Sequence, residues 1–155
     1  MTRYAAKTTV SSINSRNEIE ATLRRYGATA FVYGWDGDMA QIGFAVAGRS
    51  IRFQLPMPDR GADEFRFTPT RHTRRSPRDW EVAYEQAVRQ RWRALALIVK
   101  AKLEAVEAGI TTVEAEFMAH IALPSGATVG EWLAPQLEEI YGNGSMPALL
   151  PGGAS

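Results

Sequence analysis

Residues 29–56 read TAFVYGWDGDMAQIGFAVAGRSIRFQLP, and this stretch decides the fold. Its three apolar runs contain aromatic and β-branched residues and are separated by short glycine-containing turns, a pattern typical of strands joined by hairpins. In the third run apolar and polar side chains alternate, as expected when one face of a strand is buried. The predicted strands cover residues 29–35, 39–47 and 50–55, and their short connections favour an antiparallel meander.

A long helix is predicted after the meander. Ser76 and Pro77 form a helix start, because serine is a good N-cap and proline fits the first helical position. The helix can run unbroken to Ala108 and stop at Gly109, a length of about 30 residues or ~45 Å. A stripe of apolar side chains at helical spacing would pack this helix on the sheet, so the fold class is α+β.

Shorter helices are predicted on both sides of this unit, each from a capping-box pair and a following apolar face. They cover residues 16–26, Thr111 to His120, and Val129 to Tyr141. A chain of 155 residues is the size of one domain. Its predicted parts are a flexible arm (1–14), the meander with the long helix (15–108), an acidic helical part (109–142) and a flexible tail (143–155).

Charge is distributed unevenly along the chain. Residues 1–102 contain all 18 Lys and Arg residues and ten acidic ones, a net charge of +8, whereas residues 103–155 contain seven acidic residues and no basic one. Fifteen of the cations are arginines, whose planar guanidinium suits phosphate groups. The asymmetry favours a polyanionic partner such as nucleic acid, while the preference for arginine over lysine is also what a GC-rich genome produces.

The connection between the meander and the long helix has the densest positive charge. Residues 56–77 contain four prolines and are long for a connection, which is typical of functional or mobile loops. Residues 66–78 include five arginines and no acid, and such a cluster can contact a phosphate backbone and release its counterions. The alternative is a solvated loop without a partner. The predicted nucleic-acid contacts are Arg49, Arg52, Arg66, Arg71, Arg74, Arg75, Arg78, Arg91 and Lys102.

Two of these cations occupy unexpected positions on the long helix. At 100° per residue, Arg91 and Lys102 fall within its apolar stripe, where an unpaired charge would be costly. Either acidic residues pair with them, or this face borders a groove open to a charged ligand. The seven acids of residues 103–155 are candidate partners, within one chain or between neighbouring subunits.

The first predicted strand places three aromatic side chains on one face. Phe31, Tyr33 and Trp35 are spaced two residues apart, and aromatic rings on a strand near arginines are used by single-strand binders to stack bases. The competing interpretation, which we favour, is that these rings fill the core against the long helix.

The sequence excludes several kinds of catalytic and metal site. It has no cysteine and two histidines, His72 and His120, which rules out disulfides, cysteine zinc sites, iron–sulfur clusters and thiol nucleophiles. Phosphate-loop, dinucleotide-binding and hydrolase motifs are missing, so no cofactor is expected. Asp36 and Asp38 flank a tight turn and could hold Mg²⁺, which leaves a magnesium-dependent nuclease as the catalytic alternative.

Two stretches resemble known sequences: RWRALALIVKAKLEAVEAGITTVEAEF (91–117) and VGEWLAPQLEEIYGNGSMPALLP (129–151). They are similar to small proteins of phages and prophages of GC-rich bacteria, a resemblance that implies a phage origin and no particular activity. The order of elements, a three-stranded meander, a basic loop and a long helix, resembles the core of phage-type single-strand annealing proteins. That resemblance implies rings or filaments that hold single-stranded DNA along a basic groove.

The leading hypothesis is therefore a non-catalytic protein that binds and anneals single-stranded DNA, or binds RNA, as a homo-oligomer. The acidic end of one subunit would meet the basic part of its neighbour. The alternative is a protein–protein module, an inhibitor of a host system or an assembly factor, that uses the acidic part with Trp132 and Tyr141. No apolar run approaches the ~20 residues that span a bilayer and no secretory signal is visible, so a cytoplasmic location is expected.

Overall fold

The computed structural model describes the backbone of residues 3–144 and the side chains of residues 13–144, and its architecture is α+β as predicted. A three-stranded antiparallel sheet and one long helix form its centre. The strands are β1 (Ala30–Asp36), β2 (Met39–Val46) and β3 (Arg49–Pro56). The helices are α1 (Arg3–Arg25), α2 (Asp63–Arg66), α3 (Pro77–Glu107), α4 (Val113–Glu116) and α5 (Val129–Asn143), with a 3₁₀ turn at Met118–His120.

The sheet is the predicted meander, in the order β1–β2–β3. Its register pairs Phe31 with Phe44 and Phe44 with Ile51, so large apolar side chains of all three strands share one face. The β2–β3 turn consists of Ala47 and Gly48, with φ values of 50° and 72°. Positive φ at both positions is typical of a two-residue type I′ hairpin, which fixes the register and thereby the buried face.

The apolar face of the sheet is covered by α3 and α1. Buried side chains recur at every second residue in the strands and at every third or fourth residue in the helices. The main contributors are Ile42, Phe44, Ile51 and Phe53 from the sheet, Trp92, Leu95, Val99 and Leu103 from α3, and Ile19 and Leu23 from α1. On the opposite face Val32, Gln41 and Gln54 are exposed, so the sheet has one open side.

The first helix is longer than predicted. α1 begins at Arg3, so the backbone of residues 3–14, which were predicted as an arm ahead of the helix, is helical. That stretch shows no clear helical period in the sequence, and the helix is stabilised by packing against α3 and the sheet through Ile19 and Leu23. It ends ahead of Gly27, whose φ of 88° is suited to a helix stop.

The long helix follows the prediction closely. The Ser76 hydroxyl oxygen accepts a hydrogen bond from the Asp79 N–H at 3.2 Å, and Pro77 occupies the first helical position. The helix ends at Glu107, and Gly109 follows it with a φ of 76°. Its 31 residues span ~45 Å, which places the segments before and after it far apart.

The C-terminal part differs from the prediction in one cap. α4 is capped by Thr112 and not by Thr111, since the Thr112 hydroxyl oxygen accepts a hydrogen bond from the Ala115 N–H at 3.1 Å. α5 has the predicted capping box: Thr128 Oγ1 accepts from the Glu131 N–H at 3.2 Å, and Glu131 Oε2 accepts from the Thr128 N–H at 2.8 Å. α5 continues past the internal Pro135 to Asn143, and the rest of the predicted tail, residues 145–155, lies outside the described residues.

Residues 109–144, which we call the C-terminal module, join the sheet at the β3 edge. Ile121 forms a β-bridge with Ile51, and the Ala122 N–H donates to the Ser50 carbonyl at 2.8 Å. Ala122 also bridges to Thr128, which closes a small hairpin over residues 122–128. Among the helices of residues 3–144, none combines the length and the apolar character needed to cross a bilayer.

Candidate nucleic-acid interface

The segment between β3 and α3 is ordered by contacts with the first turns of α3. The Arg60 guanidinium lies 4.3 Å from the centre of the Tyr84 ring and forms an ion pair with Glu81. The Trp80 indole N–H donates to the Arg60 carbonyl at 2.8 Å. Phe65 of α2 packs edge-on against the same Tyr84 ring, with centroids 5.6 Å apart. The long connection therefore has a defined position beside the N-terminal half of α3.

Residues 66–75 fold back on themselves, and we call them the basic hairpin. A β-bridge joins Phe67 to Arg74, and the Arg75 N–H donates to the Arg66 carbonyl at 2.7 Å. These two contacts close the base of the hairpin, which leads directly into the N-cap of α3. The sequence signals a loop here, and the structure gives that loop internal hydrogen bonds.

The tip of the basic hairpin is held by a short network. The Thr68 N–H donates to the Thr73 carbonyl at 2.8 Å, and the Thr73 N–H donates to the Thr68 hydroxyl oxygen at 3.0 Å. His72 has a φ of 49° and stacks its ring on Phe67, with centroids 4.8 Å apart. The network fixes the backbone on both sides of Arg71, which is exposed at the tip.

The arginines of the hairpin fall into two groups. Arg75 turns inward, because its Nη1 donates to the carbonyls of Glu64 at 2.7 Å and Phe65 at 3.2 Å. Arg71 and Arg74 are exposed, and neither forms an ion pair with any side chain in residues 13–144. Arg75 therefore supports the hairpin, while Arg71 and Arg74 are available to an anionic ligand.

Two further arginines flank the hairpin. Arg66 Nη1 lies 3.8 Å from Asp63 Oδ1, three residues earlier in the chain, and an exposed pair of this length contributes little. Arg78 is exposed in the first turn of α3. Positive charge thus continues on both sides of Arg71 and Arg74.

The predicted cations of the sheet lie elsewhere and are paired. Arg49 Nη2 contacts Glu114 Oε2 at 3.0 Å, and Arg52 Nη2 contacts Glu131 Oε2 at 2.8 Å. Both acids belong to the C-terminal module. Arg49 begins β3 and Pro56, where the chain leaves towards the basic hairpin, ends it seven residues later, a distance of ~23 Å. Arg52 is closer to Pro56, at ~13 Å, but like Arg49 it is bound to an acid of the C-terminal module.

Arg91 and Lys102 are bound within the fold as well. Arg91 Nη1 donates to the Pro56 carbonyl at 2.6 Å, so a backbone oxygen and not an acid satisfies this cation. Lys102 Nζ contacts Glu116 Oε1 at 3.0 Å and the Glu116 carbonyl at 3.1 Å, and it lies 5.8 Å from the centre of the Phe117 ring. Both side chains attach α3 to neighbouring segments.

The three aromatic residues of β1 differ in their surroundings. Phe31 is half-buried against the core. Tyr33 lies between the Arg16 guanidinium, 4.1 Å from its ring centre, and Trp92, whose ring centroid is 5.6 Å away. Trp35 is 71% exposed, so it is the member of this set that can stack on a ligand.

Trp35 lies at the end of the sheet from which the chain continues to the basic hairpin. It pairs with Ala40, and Ala40 pairs with Leu55 near the end of β3. Pro58 and Phe65 line a common depression with Arg91. Because Arg91 is bound to the carbonyl of Pro56 at the end of β3, α2 lies beside this same end of the sheet.

Asp36 is the last residue of β1, and Asp38 lies in the β1–β2 turn that follows it. The Asp38 carbonyl accepts a hydrogen bond from the Met57 N–H at 2.7 Å, which links the turn to the end of β3. No third acidic or histidine ligand joins them, because the described residues contain no group of three or more such side chains that could hold a metal ion.

His120 was not singled out from the sequence. Its ring stacks on Phe53 with centroids 3.9 Å apart. Burial lowers the pKa of His120 below its ordinary 6.5, the positive charge of Lys102 lowers it further, and a hydrogen bond with the backbone of Arg52 acts in the opposite direction. These partners are distant in sequence, so no local signal identifies them.

The open face of the sheet holds a shallow depression of about 410 Å³. Gly34, Gly43 and Ala45 line it together with larger residues such as Val32 and Gln41. A Cβ at Gly43 would lie 3.0 Å from a methyl group of Val32, so the surface at this point is already closely packed.

No protein-family model, curated protein sequence or solved structure matches this chain.

Proposed function

We propose that this protein binds single-stranded nucleic acid through the basic hairpin and catalyses no reaction. The observation that supports the proposal is the contrast in pairing among its cations. Arg71 and Arg74 are exposed on an internally hydrogen-bonded hairpin and form no ion pair among the described side chains, whereas Arg49, Arg52 and Lys102 are bound to acids of the same chain. Guanidinium groups held by an ordered backbone lose little freedom when they bind phosphates.

Stacking on Trp35 is the second element of the proposal. Its exposed ring provides a platform for a base, and such stacking tolerates any sequence because every base has a π-face. Bases are accessible for stacking in single strands and not in an intact duplex. The proposal therefore includes a preference for single strands.

The first experiment compares two double variants that each remove two arginines. Fluorescence anisotropy with a labelled single-stranded oligonucleotide is measured at several salt concentrations for the wild type, R71A/R74A and R49A/R52A. Because each phosphate contact on a single strand contributes about 0.7 to the salt slope, R71A/R74A should reduce the slope by about 1.4 and weaken binding at least about tenfold. R49A/R52A should bind like the wild type, since its arginines are already paired.

The outcomes separate the hairpin from general basic charge. Equal loss in both double variants would locate the interface outside the hairpin. No binding at low salt by the wild type would overturn the nucleic-acid proposal and favour the protein–protein module. Circular dichroism and thermal unfolding of each variant verify that the fold is retained.

A single substitution tests the stacking element. Trp35→Ala should weaken single-strand binding by about 1–3 kcal/mol per stacked base while leaving the salt slope unchanged. The duplex control should show little difference between the wild type and W35A. A W35A variant that binds single strands as the wild type does would remove Trp35 from the interface.

The particular role that we propose is the annealing of single strands in phage recombination, in the cytoplasm of the host cell. It is supported by the element order of meander, basic segment and long helix. The protein should accelerate pairing of complementary labelled strands, and R71A/R74A should not. Incubation of labelled DNA with the protein and Mg²⁺ should leave the strands intact, whereas cleavage would favour the nuclease alternative at Asp36 and Asp38.

A further inference from the structure

The outer edge of β1 has no partner strand among residues 3–144. Because the β1–β2 turn has two residues, Asp36 and Met39 form a hydrogen-bonded pair, and such pairs recur at every second position of the ladder. The backbone N–H and C=O groups that point outward are therefore those of Phe31, Tyr33 and Trp35. None of them bonds to another backbone group of residues 13–144, so β1 offers a template for a further strand.

The other edge of the sheet is closed by the chain itself. The Ser50 carbonyl accepts a hydrogen bond from the Ala122 N–H at 2.8 Å, and the Pro56 carbonyl accepts one from Arg91 at 2.6 Å. β1 has no such cover, and five of its seven residues are exposed. It also contains no lysine, arginine or proline, the residues that commonly protect a free edge from pairing. The edge at which an added strand would gain hydrogen bonds is therefore that of β1.

Charged side chains of α1 border this free edge in an alternating row. The Arg16 guanidinium lies 4.1 Å from the centre of the Tyr33 ring, and its Nε is buried without a hydrogen-bond partner among the described residues. Glu20, one turn later, lines a depression together with Phe31, which we call the α1–β1 depression. Arg24 follows after another turn and contacts Glu20 at 2.8 Å. A second copy that runs in the opposite direction can therefore bring Arg16 of each molecule to Glu20 of the other.

The α1–β1 depression and an exposed ring lie at opposite ends of the same edge. The depression has a volume of about 350 Å³ and is lined by residues 28–31 together with Leu23 and Arg24. Trp35, near the other end of β1, is 71% exposed. Its side chain is on the same face of the sheet as that of Phe31, because side chains alternate along a strand. In an antiparallel pair of β1 strands, the ring of one molecule therefore reaches the depression of the other.

We propose that β1 pairs antiparallel with β1 of a second copy of this chain, about a two-fold axis at Val32. In this register Phe31 of each copy lies opposite Tyr33 of the other, and the two residues exchange both backbone hydrogen bonds. Trp35 lies opposite Thr29, which extends the pairing at both ends. The two sheets become one sheet of six strands, and the contact is isologous.

The side chains select a second copy over an unrelated extended peptide. In the same register the Trp35 ring enters the α1–β1 depression of the other molecule. Arg16 lies on Tyr33, the residue that pairs with Phe31 of the other copy. Glu20 borders Phe31, so Arg16 of each copy meets Glu20 of the other. A peptide of another sequence would reproduce the backbone hydrogen bonds alone, whereas a second copy also fills the depression and pairs the charges.

The contact covers the ring that the proposed function assigns to base stacking. A Trp35 ring seated in the second copy cannot stack on a base, so single strands and a second copy compete for it. This competition rests on the proposed function, whereas the contact itself does not. Binding of single strands should therefore convert dimers into monomers.

The first test measures association without nucleic acid. Sedimentation velocity is measured from about 1 to about 100 μM, the range in which micromolar association is visible, for the wild type, Val32→Lys and Gln54→Lys. Both substitutions place a lysine at an exposed position on the open face of the sheet. Val32→Lys puts two like charges together on the proposed axis, whereas Gln54→Lys lies on β3. Thermal unfolding verifies that both variants fold.

Hydrogen exchange measured residue by residue supplies a control within β1 itself. At about 1 μM the outward amides of Phe31, Tyr33 and Trp35 should exchange fast, and the inward amides of Val32 and Gly34 should exchange slowly. At about 100 μM the outward amides should slow by about threefold or more, because the second strand bonds to them, while the inward amides should not change.

The wild type should dimerise within this concentration range. Val32→Lys should raise the dissociation constant at least about tenfold, and Gln54→Lys should match the wild type. A wild type that stays monomeric at about 100 μM, equal dissociation constants for the two variants, or outward amides that gain no protection would each overturn the proposal.

The competition is tested by adding an excess of a single-stranded oligonucleotide to the wild type at about 100 μM. A fall in the dimer fraction supports the competition, and a dimer fraction that persists while the oligonucleotide is bound would overturn it. A protein that dimerises as expected but binds no oligonucleotide would overturn the proposed function and leave the β1 contact in place.

Discussion

The basic hairpin and the C-terminal module lie at opposite ends of α3 and hold their charges in opposite ways. Near the C-terminal end of α3, the acids Glu114, Glu116 and Glu131 contact cations from the first two thirds of the chain. Near the N-terminal end, Arg71 and Arg74 face solvent without an acidic partner in the described side chains. At the C-terminal end of α3 charge assembles the fold, and at the N-terminal end charge stays exposed to solvent.

The difference shows why charge counted along a sequence overstates a binding surface. Of the nine cations expected to contact nucleic acid, Arg49, Arg52 and Lys102 are ion-paired and Arg75 and Arg91 are bound to backbone carbonyls. The surface that remains for a polyanion is narrower than the sequence suggests. It is also better ordered, because the hairpin has its own hydrogen bonds.

The largest expected effect concerns how firmly the C-terminal module and the basic hairpin are anchored to the rest of the fold. Phe117 is fully buried and packs edge-on against Phe44 and Phe53, so Phe117→Ala should destabilise the protein by about 3–5 kcal/mol. Phe67 of the basic hairpin is only half-buried, and Phe67→Ala should cost about 1 kcal/mol. Denaturant unfolding followed by circular dichroism measures both values, and similar costs would show that the hairpin is as integral to the fold as the module.

The next largest change in stability is expected where α5 closely approaches the 3₁₀ turn. Gly130→Ala would place a methyl group 2.9 Å from the Ala119 carbonyl oxygen, and it should destabilise the protein by about 1–3 kcal/mol. Gly142→Ala in the same helix meets no atom within 4 Å and should be neutral or stabilise by up to about 1 kcal/mol. If G130A is as stable as G142A, α5 is not seated on the turn as described.

Much of the fold was predictable because its signals are local. Alternation in residues 50–55, the Ser76–Pro77 start and the Thr128–Glu131 capping box each depend on a few neighbouring residues, and the structure has all three elements. The helical backbone of residues 3–14 was missed because that stretch lacks helical periodicity, and the helix depends on packing by its second half.

The candidate site was less predictable, because pairing depends on contacts between distant residues. Arg52 and Glu131 are 79 positions apart, and Arg49 and Glu114 are 65 apart. Nothing in the neighbourhood of these arginines shows that an acid will reach them. The density of arginines in residues 66–78 was visible in the sequence, but the inward turn of Arg75 follows from the position of α2.

A smaller effect is expected in the coupling free energies of the two ion pairs that join the C-terminal module to β3. A double-mutant cycle with Arg52→Met and Glu131→Gln should give a coupling of about 1 kcal/mol, because this pair is half-buried. The cycle with Arg49→Met and Glu114→Gln should give about 0.3 kcal/mol, because both side chains are at least half exposed. Unfolding free energies supply both couplings. A reversed order would show that burial does not decide the strength of these pairs.

The smallest effect is the pH dependence that His120 gives to the module. Its pKa is lowered in the folded state, so the unfolded chain binds the proton at higher pH than the folded chain does. Stability from this group is therefore fully present above pH 6.5 and is lost as the pH falls through that value towards the lower folded pKa. The unfolding midpoint should decline between about pH 7.5 and pH 5.5, and the midpoint of His120→Gln should decline less steeply than that of the wild type.

His72→Gln in the basic hairpin, which leaves His120 in place, should retain the wild-type dependence. Because Lys102 is the second cause of the lowered pKa, Lys102→Met should also reduce the slope, and a slope that persists unchanged in both H120Q and K102M would place the titrating group elsewhere.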